Sequence, residues 1–153
     1  MISEPLAISV RAAGNMMRAA HEPWWIIAGA AVALHGADAG QVSDVDVLLS
    51  VGDAERLFPT FGLELRRGPS HANFRSGIFG TFTEAPLQIE FMANFRYRVG
   101  GNWLPANPRT REAVEFGETT VFVPGCIELQ QMLRGFGRPK DIERAEQLSV
   151  LQS

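Results

Sequence analysis

Two apolar runs joined by a polar turn constrain this chain more than anything else in it. The first is Trp24-Trp25-Ile26-Ile27-Ala28-Gly29-Ala30-Ala31-Val32-Ala33-Leu34-His35-Gly36, and the second is Ser43-Asp44-Val45-Asp46-Val47-Leu48-Leu49-Ser50. An apolar run that reaches a glycine, an alanine-rich stretch and a second apolar run together predict a strand, a turn, a helix and a strand. Strand side chains alternate, so Asp44 and Asp46 share one face while Val45, Val47 and Leu49 pack on the other. Two carboxylates this close repel unless one is protonated or a cation lies between them. Their hard oxygens suit a divalent ion such as Mg²⁺ or Mn²⁺. Gly29 is expected to let the backbone turn tightly into the helix, whose first N–H groups are unpaired and form a seat for a phosphate.

The chain of 153 residues predicts one domain, 1–153, long enough to bury a real core. With 46% hydrophobic and 20% charged residues it is neither a disordered nor a fibrous sequence. The net charge of −3 gives no electrostatic footprint for nucleic acid. Cys126 stands alone and no Cys/His cluster of zinc spacing occurs, which fits a reducing cytoplasm. No apolar run is long enough to span a membrane, and the start Met1-Ile2-Ser3-Glu4-Pro5 is not that of a signal peptide.

Ser3 is placed to cap a first helix with Pro5 in its opening turn, and Leu6, Val10, Ala13, Met17 and Ala20 recur at helical spacing. His21-Glu22-Pro23 ends it. His35, at a helix end, reads as a dipole partner or a solvated side chain, and Ser43 as a turn residue or a phosphate contact. Gly52-Asp53 opens a short helix that Pro59 or Gly62 stops. Leu63 to Arg67 alternates like a half-exposed strand, and a loop with His71 follows. Asn73 to Phe82 and Leu87 to Met92 predict a β-hairpin, in which Phe74, Ile78 and Phe82 share a parity and Leu87, Ile89 and Phe91 face the core. Glu90 falls on the opposite parity, where it is an ordinary exposed residue or a partner of the aspartates. Phe95-Arg96-Tyr97-Arg98 reads as an edge strand with solvated arginines more readily than as a base-stacking surface. Glu115 to Val123 predicts a last hairpin or a bent strand. Two helices follow, broken near Gly135-Phe136-Gly137, with Arg138 and Lys140 at the turn.

Gly29-Ala30, thirteen intervening residues and then Asp44-Val45-Asp46 resemble the signature of the nucleotidyltransferase superfamily, with Glu90 at the place of a third carboxylate on a later strand. The segments from Val123 to Leu129 and from Gly137 to Ile142 are similar to the last two helices of small bacterial members related to AbiEii toxin-type nucleotidyltransferases. Together these stretches span roughly half the chain. Ala30 stands where the family has a small residue that is usually Gly or Ser, and Leu133 stands where relatives often carry a lysine. The resemblance implies an α/β fold, with a small mixed sheet covered by helices. It implies transfer of a nucleoside monophosphate from an NTP to an acceptor hydroxyl, with Mg²⁺ or Mn²⁺ on Asp44, Asp46 and Glu90. Nucleotide contacts would come from Gly29, Ala30, Ser43, Arg138 and Lys140. The acceptor is open among an antibiotic, a protein side chain and an RNA end. So is a different class of function, a weakly active or inactive module that binds a protein partner in a toxin-antitoxin or regulatory system.

Overall fold

The structure is a computed structural model and describes residues 2–151. Helix α1 (Glu4–Met16) starts where Ser3 Oγ accepts the Leu6 N–H, and it passes into a short 3-10 turn, Met17–Ala19. There follow β1 (Trp25–Ile27), α2 (Ala28–Leu34), β2 (Asp44–Leu49), α3 (Val51–Phe61), β3 (Phe74–Phe82), β4 (Gln88–Val99) and β5 (Asn102–Pro105). A separate hairpin, β6 (Glu112–Phe116) and β7 (Thr119–Val123), precedes α4 (Cys126–Phe136) and α5 (Pro139–Leu151).

The main sheet has the order β1-β2-β4-β3, with β5 on the distal half of β4. Only β2 and β4 run parallel; the other pairs are antiparallel. This is the small mixed sheet with packed helices that the resemblance implies. Val45, Val47, Ile89 and Phe91 are fully buried on one face of the central pair. Phe58 and Phe61 of α3 meet the Phe91 ring there, at 6.1 and 5.2 Å between centroids. The buried apolar side chains of sheet and helices form one continuous cluster.

Several local expectations give way. Leu63 to Arg67 forms no strand: it runs beside β3 on isolated backbone bonds, Phe79 N–H to Arg66 O and Gly68 N–H to Ser76 O, and leaves Leu65 48% exposed. Pro59 lies inside α3, which ends at Gly62 in a left-handed conformation (φ 74°). β4 continues well past Met92, so Phe95 to Arg98 is flanked by β3 and β5 and is not an edge. Within β4, Asn94 has φ 51°. This single left-handed residue interrupts the alternation. Glu90 and Met92 lie on one side before it, and Phe95, of opposite parity, joins them on that side after it. Gly77 stands across from Asn94, where a Cβ would come within 3.1 Å of Asn94 Cβ, and β3 shifts its alternation at the same level: Phe74 and Ser76 share that side with Phe79.

Candidate metal and nucleotide site

The parallel register of β2 and β4 sets Asp46 beside Glu90 and Asp44 beside Gln88. On the face opposite the buried valines, carboxylate oxygens of Asp44, Asp46 and Glu90 all lie within 4.8 Å of one another. Among the described residues no other three His, Cys, Asp or Glu side chains converge in this way. Burial first, then the charges of Asp44 and Glu90, push the Asp46 carboxyl well above the usual carboxylate range, while the Arg138 charge acts the other way. Burial and the Asp44 charge also raise Glu90, and the two carboxyls share a hydrogen bond. A set of three converging oxygen donors, two of them strained toward the protonated form by burial and by each other, is chemistry that a divalent cation satisfies. The cluster can chelate such an ion.

Asp46 and Glu90 form part of the wall of a cleft of about 220 Å³. Its other walls come from the β1–α2 junction (Ile27, Ala28), from the aromatic side chains of β3 and β4, from Phe136 of α4 and from Arg138. Arg138 is fixed by a bidentate pair with Asp141: Nε donates at 2.6 Å and Nη2 at 3.1 Å, and the guanidinium lies 4.9 Å from the Phe74 centroid. Asp141 is fully buried and also accepts the Arg138 backbone N–H, the reciprocal half of a helix capping box. The spacing Arg138-x-x-Asp141 was the available signal for this pair.

The glycine turn differs from expectation. Ala28, not Gly29, takes the left-handed conformation (φ 58°), and Ala28 reaches the cleft wall while Gly29 and Ala30 do not. Gly29 is required by a close approach instead: a Cβ there would lie 2.9 Å from Cζ of Arg144. Arg144, on α5, is 8% exposed and donates through Nε to Ala39 O (2.9 Å) and through Nη2 to Gln41 O (2.8 Å), pinning the segment that leads into Asp44. No periodicity in the sequence announces this link. Ser43 and Lys140 are exposed and off the cleft wall. His35 caps α2 and its Nε2 lies 2.7 Å from Pro124 O, so it is a structural tie. Leu133 is fully buried in the core, and Arg134 is exposed.

Neither a protein-family profile nor a curated protein matches the sequence. Solved structures match over nearly the whole chain. A candidate nucleotidyltransferase from Thermotoga maritima superposes with a TM-score of 0.72 at 22% identity, over 99% of this chain and 95% of that one. The chain has the nucleotidyltransferase fold. Within this fold the antibiotic-resistance factor ANT(2'')-Ia aligns in its solution structure with a TM-score of 0.56 at 13% identity, over 97% of this chain and 83% of that one. The crystal structure of ANT(2'')-Ia in complex with adenylyl-2''-tobramycin aligns at 0.54 and 13%, over 95% and 86%. The acidic cluster thus sits on a nucleotidyltransferase fold. Among the described residues no helix is long and apolar enough to cross a membrane.

Proposed function

We propose that the protein moves a nucleoside monophosphate from an NTP to an acceptor hydroxyl. The observation that carries this reading is the convergence of Asp44, Asp46 and Glu90 on one face of the β2–β4 pair within a nucleotidyltransferase fold. Asp44, Asp46 and Glu90 would hold Mg²⁺ or Mn²⁺, which when bound neutralises phosphate charge and stabilises the attacking and leaving oxygens. Phosphoryl-type transfer asks the protein mainly for positioning and charge. Arg138, held by Asp141, supplies a fixed positive charge at the cleft. Ile27 and Ala28 line the same space, whereas Gly29, Ala30, Ser43 and Lys140 lie off the cleft wall and would meet a nucleotide only beyond it. Glu90, whose carboxyl is raised by burial and by the Asp44 charge, would bind one ion or take the acceptor's proton. The AbiEii-type likeness of the last two helices belongs to this proposal, and so does a bacterial cytoplasmic setting.

Thermal unfolding with Mg²⁺ and a non-hydrolysable NTP tests the reading. At about ten times the dissociation constant the ligand adds roughly 1.4 kcal/mol, or about 3–5 °C for a domain of this size. In the double variant Asp44→Asn, Asp46→Asn the shift vanishes while the metal-free protein is no less stable, because repulsion is relieved. A parent protein that shows no shift at millimolar Mg²⁺ and nucleotide refutes the proposal.

A further inference from the structure

We propose that His71 is a polyphosphate-binding residue of this site, a role that rests on the nucleotide reading above. His71 comes from the loop before β3 and lines the same cleft as Asp46, Glu90 and Arg138. The Asn73 backbone N–H donates to its Nδ1 at 3.0 Å. With Nδ1 occupied as an acceptor, the proton of the neutral ring belongs on Nε2, leaving that nitrogen a hydrogen-bond donor. The loop thus presents Nε2 as a donor. The ring is braced against Phe74 at 4.9 Å between centroids, and the Arg138 guanidinium carbon lies 4.9 Å from the centroid of that same Phe74 ring. One aromatic ring therefore carries two donor groups, one from the loop and one from the α4–α5 turn.

The two kinds of polar group in the cleft differ in charge and in origin. The acids rise from the strands, whereas His71 and Arg138 come from loop and turn. A run of phosphates would offer oxygens both to a cation on the acids and to the donors beside Phe74. The β- and γ-phosphates of an NTP extend such a run beyond the single phosphate of a nucleoside monophosphate.

Calorimetric binding of Mg²⁺ with a non-hydrolysable ATP analogue, and separately of AMP, to the parent, His71→Phe and His71→Gln tests this. Phenylalanine keeps a ring against Phe74 and removes the donor; glutamine restores an N–H near the position of Nε2. The expected result is about tenfold weaker binding of the analogue to His71→Phe, unchanged AMP binding and melting temperature, and recovery in His71→Gln. His71→Phe binding the analogue as tightly as the parent overturns the role. So does equal loss of analogue and AMP, or a His71→Gln protein as weak as His71→Phe. If the parent binds the analogue in a manner that Asp44→Asn, Asp46→Asn abolishes, such a failure belongs to His71 alone. A parent that binds no analogue removes the nucleotide reading and this role with it.

Discussion

Replacing Gly29 by alanine separates two explanations for the glycine in this turn. The Cβ would sit 2.9, 3.0 and 3.1 Å from Cζ, Nη2 and Nη1 of Arg144, well inside the usual contact distance of about 3.5–4.0 Å. The guanidinium must retreat, and its bonds to Ala39 O and Gln41 O, now 2.9 and 2.8 Å, lengthen toward the limit of useful geometry. Hydrogen bonds from a charged donor contribute about 1.5–3 kcal/mol each, so weakening the pair costs about 2–3 kcal/mol. Alanine returns up to about 1 kcal/mol of helix propensity. The net expectation is a loss of about 1–2 kcal/mol, or about 2–8 °C. In an Arg144→Met background, where the stem stays and the fork is gone, only the propensity gain remains and Gly29→Ala becomes neutral or stabilising. Urea titrations of the four proteins read this reversal of sign directly. Equal effects of Gly29→Ala in both backgrounds would refute the argument and return the glycine to a direct approach of backbone to ligand.

Ala28→Gly is expected to stabilise the protein by about 1 kcal/mol, since a left-handed L-residue costs about 1–2 kcal/mol; an unchanged or lower melting temperature would show that φ 58° carries no strain. Asp53 is buried, and although burial pushes its carboxyl up, the backbone N–H groups of His21 and Glu22 and the Arg56 guanidinium together hold it below the usual range. Its stabilisation is therefore complete above the unfolded pKa of about 4 and is lost as pH falls through the lower folded value. Asp53→Ala should cost about 2–4 kcal/mol and flatten acid-side stability curves measured by denaturant. Asp141→Asn should weaken binding of the Mg²⁺–nucleotide analogue by releasing the Arg138 fork, while leaving Mg²⁺ binding in isothermal titration unchanged.

Local periodicity made the acidic face legible. Alternation alone put Asp44 and Asp46 together and gave Glu90 a parity opposite to Ile89 and Phe91, and the parallel β2–β4 register brought the three into one cluster. The same rule failed wherever one residue left the β region. Asparagine is one of the few L-residues that takes the left-handed region readily, but nothing in the local pattern selects position 94, where that backbone places Phe95 on the cleft side of a strand that continues between two others. Leu63 to Arg67 has the pattern of a strand without a regular partner ladder. Gly29 is legible as a turn residue, but its reason is a buried arginine more than a hundred residues away, and pairings at that separation leave no mark on local pattern.

The acidic cluster opposes folding, while the opposite face of the same strands favours it. Burying Val45, Val47, Ile89 and Phe91 contributes about 6–12 kcal/mol at roughly 1.5–3 kcal/mol per side chain. Each raised carboxyl works against this at about 1.4 kcal/mol for each pKa unit. Because Asp46 and Glu90 are raised, the folded chain binds more protons than the unfolded one above the ordinary carboxylate pKa. Stability in EDTA should therefore fall as pH rises from about 4 through the folded values, with a slope of up to about 1.4 kcal/mol per pH unit for each proton. A cation held by the cluster reverses that loss, so saturating Mg²⁺ should flatten the curve. Asp46→Asn should flatten it without metal. If Asp46→Asn keeps the parent's slope in EDTA, repulsion among the three acids is not what the cation relieves.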